Sequence, residues 1–261
     1  MIETFANISK EGSITIIHLD HPPANTLSSA SIKKLRLIFQ ELAEDIETSA
    51  IIITGTGRFF VAGADIKEFV SAFGQQDKAL QMAKAGQALC DEVEAMKKPV
   101  IAAINGPALG GGLELALGCH FRIASNQAIL GLPELKLGLL PTFGGTQRLS
   151  RITNQATALQ LILTSKQLSA EEALQLGIIQ QVTKPDELLS TAKAVAQSFV
   201  EGKSMTSISR TIECVIQSTK DSLQNGLELE RTRFAELFFT NDAKEGVQAF
   251  IEKRQPHFKH F

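Results

Sequence analysis

The sequence contains no tryptophan and no tyrosine, so its 15 phenylalanines are the only large aromatics. Neither near-ultraviolet absorbance nor intrinsic fluorescence will report usefully on such a chain. Cysteine is scarce: Cys90, Cys119 and Cys214 are odd in number and show no C-x-x-C spacing. That excludes a disulfide framework and a zinc ribbon, and it fits buried thiols in a reducing compartment. Long apolar runs are missing too, since stretches such as Val100 to Ile104 are far too short to span a bilayer. Neither sign of charge dominates, with 26 Lys and Arg against 28 Asp and Glu and a net charge of −2. Nothing in that balance recommends a nucleic acid or an anionic membrane as partner. The opening MIETFANISKEG places Glu3 early and offers no apolar core for a secretory leader, so no signal peptide is expected. What is present is 261 residues, 44% hydrophobic and 21% charged, the composition of an ordinary globular protein. Area scaling gives roughly 11,000 Å² exposed when folded against about 41,000 Å² unfolded, which leaves room for a large core. A soluble cytoplasmic protein is expected.

Periodicity sets out the elements. Ser13 to Leu19 is β-rich and ends at the turn-like Asp20-His21-Pro22-Pro23. Ile32, Leu35, Phe39, Leu42 and Ile46 step by threes and fours, an amphipathic helix entered through Ser28 and Ser29. Ala50 to Thr54 and Pro99 to Ile104 read as short buried strands. Between them, Met82, Gly86, Leu89, Val93 and Met96 form a second helical stripe, closed by Lys97-Lys98-Pro99. Strands alternating with helices predict an α/β architecture with parallel strands. After about residue 150 helical stripes dominate, among them Leu223, Leu227, Phe234 and Phe238, then Ala243, Val247, Phe250 and Ile251. That helical tail is expected to pack on the core or on another subunit. Capping boxes are expected at Ser169 to Glu172 and at Asp242 to Glu245.

Four segments could carry chemistry. In Phe59 to Glu68, the pair Asp65 and Glu68 fits a capping box, and the small residues Ala62, Gly63 and Ala64 precede the helix it would start. The segment reads as an ordinary strand-to-helix turn, or as backbone amides offered to an anionic oxygen. Asn105 to Leu117 places three glycines, Gly110 to Gly112, between a strand and an apolar helix, an arrangement suited to an anion. Glu114 there has apolar neighbours. It is either a first-turn acid favoured by the helix dipole or a semi-buried acid–base group of raised pKa. Glu134, in Gly131 to Pro141, is another carboxyl in an apolar stretch, either paired with Lys136 or an arginine or the second of two working acids. Phe143 to Leu149 alone indicates only a tight turn entering a helix.

Competing motifs fail. G-x-G-x-x-G is broken at Phe60 and at Leu115, and neither G-x-x-x-x-G-K-[ST], H-E-x-x-H nor G-x-S-x-G occurs. The five histidines, His18, His21, His120, His257 and His260, form no pairing suggestive of a metal site, and no metal is expected.

FFVAGADIKEF, KKPVIAAINGPALGGGLELAL, LGLPELKLGLLPTFGGTQRL and the terminal EGVQAFIEKR, taken in this order, resemble the crotonase superfamily, specifically the enoyl-CoA hydratases. The resemblance extends over essentially the whole chain. It implies a spiral of ββα units over 1–195, carrying the CoA-thioester site. It further implies a helical region over 196–261 used for trimerisation and site closure, with trimers commonly paired into hexamers.

The family's oxyanion hole maps onto the backbone N–H groups of Ala64 and Gly111, and its catalytic glutamates onto Glu114 and Glu134. In hydratases those two carboxyls hold a water that adds to C3 while a proton reaches C2; Glu114 is expected as base and Glu134 as proton donor. By the same resemblance Ala62, Ala64, Asp65, Ile66, Lys67 and Gly111 contact the substrate and its CoA, with Phe250 and Lys253 joining from the tail. No cofactor is implied beyond the CoA of the substrate. The family usually has glycine where this chain has Thr142, and the N–H of that residue helps to bind the catalytic water. A β-branched residue resists φ > 0, so either the backbone is ordinary there or the water is held differently. The alternatives are 3,2-enoyl-CoA isomerisation or another acyl-CoA reaction of the family, and, in a different class, an RNA-binding scaffold, which the net charge disfavours. Acyl length, pathway (β-oxidation being one) and trimer against hexamer stay open.

Overall fold

A computed structural model of the chain describes residues 5–260, so Glu3 lies outside the described residues. The chain opens with β1 (Ala6–Glu11) and β2 (Ile14–Leu19), then α1 (Ser29–Glu44) and β3 (Ala50–Gly55). The short α2 (Ile66–Val70) and the long α3 (Gln76–Glu94) follow, then β4 (Val100–Ile104), β5 (Ala108–Leu109) and α4 (Gly111–Gly118). Next come β6 (Phe121–Ser125), β7 (Ile129–Gly131), a 3-10 turn at Glu134–Leu137, α5 (Gly145–Ile152) and α6 (Gln155–Leu163). The chain continues through β8 (Gln167–Ser169), α7 (Ala170–Gln175), β9 (Gln181–Thr183) and α8 (Leu188–Val200). Three helices end it: α9 (Met205–Gln217), α10 (Leu223–Leu237) and α11 (Asn241–Glu252).

A six-stranded sheet runs β1-β2-β3-β4-β6-β9, parallel except for the antiparallel β1–β2 pair. A smaller sheet, β5-β7-β8, takes one strand from each later turn of the chain. The chain thus passes from the large sheet to the small one, through helix, and back, which is the expected spiral. The central strands are apolar without alternation because both faces of the large sheet are covered. Ile51 and Ile53 of β3 belong to the core under α1 and α3. Ala50 and Ile52 belong to a second core closed by Leu188, Ala192, Ala196 and Val200 of α8. The division expected at residue 195 falls inside this helix.

Ser28 caps α1 as expected, in a capping box with Ser31. The stripe ends at Leu42, because Ile46 lies beyond the helix and is 97% exposed. The box at Ser169 and Glu172 is present. The one expected at Asp242 and Glu245 is not: Thr240 caps α11, and Asp242 sits buried in its first turn. The Asp242 carboxylate instead accepts from the Ser204 hydroxyl (2.6 Å) and from the amides of Lys259 and His260 (2.7 and 2.9 Å). A buried carboxylate takes the donors that tertiary packing brings, and three tertiary donors outweigh one local bond. Cys90 and Cys119 are buried, whereas Cys214 is only partly so. His120 is structural, its Nδ1 accepting from Val100 N and its Nε2 donating to Glu94 O.

The loop after β3 is clasped from two sides. Asn105 accepts from Gly55 N through Oδ1 (2.9 Å) and donates to Gly57 O (3.0 Å). Asn25, at φ 53, donates to the carbonyls of Thr56, Phe59 and Phe60 (3.2, 2.9 and 3.3 Å), and its Oδ1 accepts from His21 N (2.8 Å). Asn25→Ala is expected to cost about 2–4 kcal/mol, from unmet buried backbone groups plus a left-handed alanine. Asn25→Gly should recover only the backbone part, about 1 kcal/mol. Denaturant unfolding followed by far-ultraviolet circular dichroism reads both, and a loss of well under 1 kcal/mol in the alanine variant would remove the clasp from the account.

Candidate active site

Downstream of this clasp, residues 61–64 run extended between two neighbours. Val61 bridges to Ala108, with Val61 N–H donating to Pro107 O and Leu109 N–H to Val61 O. Ala64 bridges to Leu27 through the groups on either side of it, Gly63 O and Asp65 N–H. The N–H of Ala64 itself therefore points away from Leu27. On that side α4 begins, and a Cβ built on Gly111 would lie 3.6 Å from Ala64 N. Gly111 is the first residue of α4, so its N–H has no intrahelical acceptor. Two backbone donors thus come together at a helix N-terminus. The helix can approach this closely because Gly112 has no side chain; a Cβ there would run into Val61 O.

One turn along α4 stands Glu114, 2% exposed. Its Oε1 accepts from Phe143 N (2.8 Å) and Gly145 N (2.7 Å) at the entrance of α5, which leaves Oε2 to the cavity that Glu114 lines. Burial pushes this carboxyl from 4.5 up to about 7, and the charge of Glu134 adds to the rise. The two amide bonds and the Arg148 guanidinium oppose it. Glu134 opens the 3-10 turn after Pro133 and reaches back to the start of α4, its Oε1 lying 2.8 Å from where a Cβ on Gly110 would be. Its Oε2 is buried without a partner, so pairing with Lys136 does not account for it. Burial raises its pKa as well.

A cavity of about 400 Å³ joins these groups. Ala62, Ala64, Gly111, Glu114, Glu134 and Thr142 line one end, and Ala72, Phe73, Ala79, Met82 and Leu140 line an apolar extension. Thr142 is absent from the positive-φ residues, so its backbone is ordinary; its carbonyl accepts from Gln87 Nε2 (2.9 Å).

Of the other expected contacts, Ile66 lines the cavity, while Asp65 and Lys67 stand beside it at the start of α2. Asp65 caps α2 by accepting from Lys67 N, but the box expected with Glu68 is replaced: Glu68 turns to the amide and hydroxyl of Ser29 (2.9 and 2.6 Å). Phe250 and Lys253 lie on and just after α11, away from the cavity, with Phe250 84% exposed. Sequence reasoning missed the asparagine clasp and the amides of residues 143 and 145. The one available signal was the Gly144-Gly145 pair, whose first member adopts φ 108. Among the described residues no cluster of three His, Cys, Asp or Glu is disposed to hold a metal ion, and no helix is long and apolar enough to cross a membrane.

Two convergent amides can hold an oxygen that gains negative charge, and two carboxyls of raised pKa, Glu114 near neutrality among them, can take up and release protons. The raised pKa also carries a stability signature. Glu114 binds its proton more tightly folded than unfolded, so stability falls as pH rises from about 4.5 to about 7, by roughly 3 kcal/mol. Glu114→Gln is expected to remove this slope and to be more stable than wild type near about pH 8, the gap closing near about pH 5. Denaturant midpoints at the two pH values read it, and equal slopes in both proteins would contradict the burial of a titrating carboxyl.

The sequence profile of the enoyl-CoA hydratase/isomerase family matches residues 9–260. A probable enoyl-CoA hydratase of Bacillus subtilis is 47% identical over 94% of this chain and 95% of its own. A short-chain-enoyl-CoA hydratase of Clostridium acetobutylicum is 40% identical over 95% of each. The crystal structure of an enoyl-CoA hydratase from Bacillus anthracis superposes with a TM-score of 0.92 at 34% identity, covering 99% of this chain and all of that one. With fold and sequence in agreement over nearly its full length, this chain belongs to the enoyl-CoA hydratase/isomerase family, within the crotonase superfamily.

Proposed function

We propose that the protein is an enoyl-CoA hydratase, adding water syn across the 2,3 double bond of a 2-enoyl-CoA to give a 3-hydroxyacyl-CoA. The observation that carries this reading is the pairing of two carboxyls of raised pKa, Glu114 and Glu134, in one cavity with the Ala64 and Gly111 amides. The thioester oxygen sits on those two N–H groups. Glu114 takes a proton from water as its oxygen bonds to C3, and the C2–C3 π electrons move toward the thioester, forming an enolate that the two amides stabilise. Glu134 gives its proton to C2, the enolate collapses to the thioester, and the proton on Glu114 returns to Glu134 directly or through solvent. Isomerisation needs one carboxylate to move a proton between C2 and C4. A second carboxyl of raised pKa is what activation of water adds, and it favours hydration. The thioester itself acidifies C2, so the reading calls on no cofactor beyond the CoA of the substrate. Thr142, in ordinary backbone conformation, is assigned to hold the water through its N–H.

The backbone of Ala62 and of residues 64–67 is assigned to the CoA portion, with Lys67 near its phosphates. Phe250 and Lys253 are assigned to the site of a neighbouring copy in a trimer or dimer of trimers. Two observations support association: the apolar stripes of α10 and α11 lie exposed, and the chain's accessible surface of 14033 Å² is about a quarter above that of a monomer of its mass. A role in fatty-acid β-oxidation in the cytoplasm completes the reading.

The test is loss of conjugated enoyl-thioester absorbance with crotonyl-CoA, the product gaining the mass of one water. Glu114→Gln and Glu134→Gln are each expected to lower kcat by about 10²–10⁴-fold with the fold intact. Near-wild-type turnover in either variant removes that residue from the mechanism.

A further inference from the structure

The two amides that hold Glu114 belong to a turn, and that turn is itself held. Phe143 uses its N–H for Glu114 and its carbonyl for Arg148, which donates from Nη1 (3.1 Å). The other two arms of the Arg148 guanidinium reach α3: Nη2 donates to Asp91 Oδ1 (2.5 Å) and Nε to Glu94 Oε1 (3.2 Å). Arg148 is buried on the first turns of α5, and the guanidinium reaches the turn only because Gly144, at φ 108, has no side chain. A Cβ on Gly144 would strike Arg148 Nη1. Joining α5 to α3 needs only the two carboxylates, yet the third arm goes to the carbonyl of the residue whose amide holds Glu114. A planar fork can serve three acceptors at once, which an ammonium on a flexible stem cannot do with the same geometry.

We propose that Arg148 is a positioning residue for Glu114, fixing the 143–145 turn so that its amides hold one carboxylate oxygen and leave the other to the substrate water. The proposal rests on the reading of Glu114 as a working carboxyl. Arg148 acts through the turn and through its charge, without touching substrate. The titratable groups facing Glu114 are Glu134 from the 3-10 turn, Cys90 from α3 and Arg148 from α5; burial holds the Cys90 thiol neutral. Behind Arg148 stand Asp91 and Glu94, and Lys220, between α9 and α10, pairs with Glu94 Oε2 (2.7 Å).

The experiment has two independent readouts on Arg148→Met, Arg148→Lys and Asp91→Asn. One is kcat and KM for hydration of crotonyl-CoA. The other is the ¹³C-carboxyl titration of Glu114, followed with Glu134→Gln in the background so that one carboxyl titrates alone. Arg148→Met is expected to lower kcat about 30–300-fold with KM within about threefold, and to raise the Glu114 midpoint by about one pH unit. Arg148→Lys keeps the charge and loses the fork, so it should recover only part of kcat. A folded Arg148→Met with an unmoved Glu114 midpoint overturns the proposal, whether kcat holds or falls, since a loss without a shift is a structural role alone. If Arg148→Met does not fold, Asp91→Asn decides. Its exposed carboxylate can be removed safely, and it should move midpoint and kcat the same way by a smaller, measurable amount; no movement overturns the proposal. Failure of the wild type to hydrate crotonyl-CoA would count against the functional reading, while the carboxyl titration would still judge the positioning role.

Discussion

Keeping a carboxyl dry without a cation in contact is the constraint from which much of this structure follows. Removing Glu114 from water costs several kcal/mol in its charged form, and two short amide bonds on one oxygen recover only part of that. The shortfall is expressed as a pKa near 7. Accommodating the group has consequences on every side. Gly145 is without a Cβ where one would lie 2.8 Å from Glu114 Oε1, and Gly112 lets the helix that carries Glu114 lie against the backbone of Val61. Fixed donors of this kind need no rearrangement as charge develops, which is why a rigid frame is useful behind them.

That frame is the two-faced sheet. Because α1 and α3 cover one side and α8 the other, β3 and β4 cannot shift register without moving apolar side chains from one core into the other. The segments leaving the ends of these two strands bring the Ala64 and Gly111 amides together at one end of the cavity: residues 61–64 after β3, and residues 110–112 after β4 and β5. Asn25 and Asn105 convert strand position into loop position by satisfying the carbonyls and amides between residues 55 and 60.

The elements that could be read from sequence are those whose signal is local. Ala50 to Thr54 and Pro99 to Ile104 could be read because strands buried on both faces are uniformly apolar. Ser28 and Ser169 could be read because a cap is satisfied within three residues. Strand β1 escaped notice because ANISKE is a polar edge strand with five exposed positions. Glu68 and Asp242 carry the right spacing for capping boxes, yet each is drawn to donors that only the folded chain brings near. At the site, Glu114 stood out by its apolar neighbours. The amides of residues 143 and 145 reach Glu114 across 29 and 31 residues, and the missing partner of Glu134 Oε2 is equally a product of tertiary packing, which no spacing encodes.

The polar character of β1 has a further consequence. A sheet whose outer strand presents free backbone groups invites addition of another chain's strand, and here that edge is defended. Lys10 is engaged by Asp45 and Glu47, and Glu11 by Lys193, so charge lines the rim. The opposite edge, β9, is only three residues long. Growth by strand pairing is therefore opposed at both ends of the large sheet, which leaves the exposed apolar faces of α10 and α11 as the surfaces open to another chain, and contacts between helix faces can close into a ring instead of extending into a fibre.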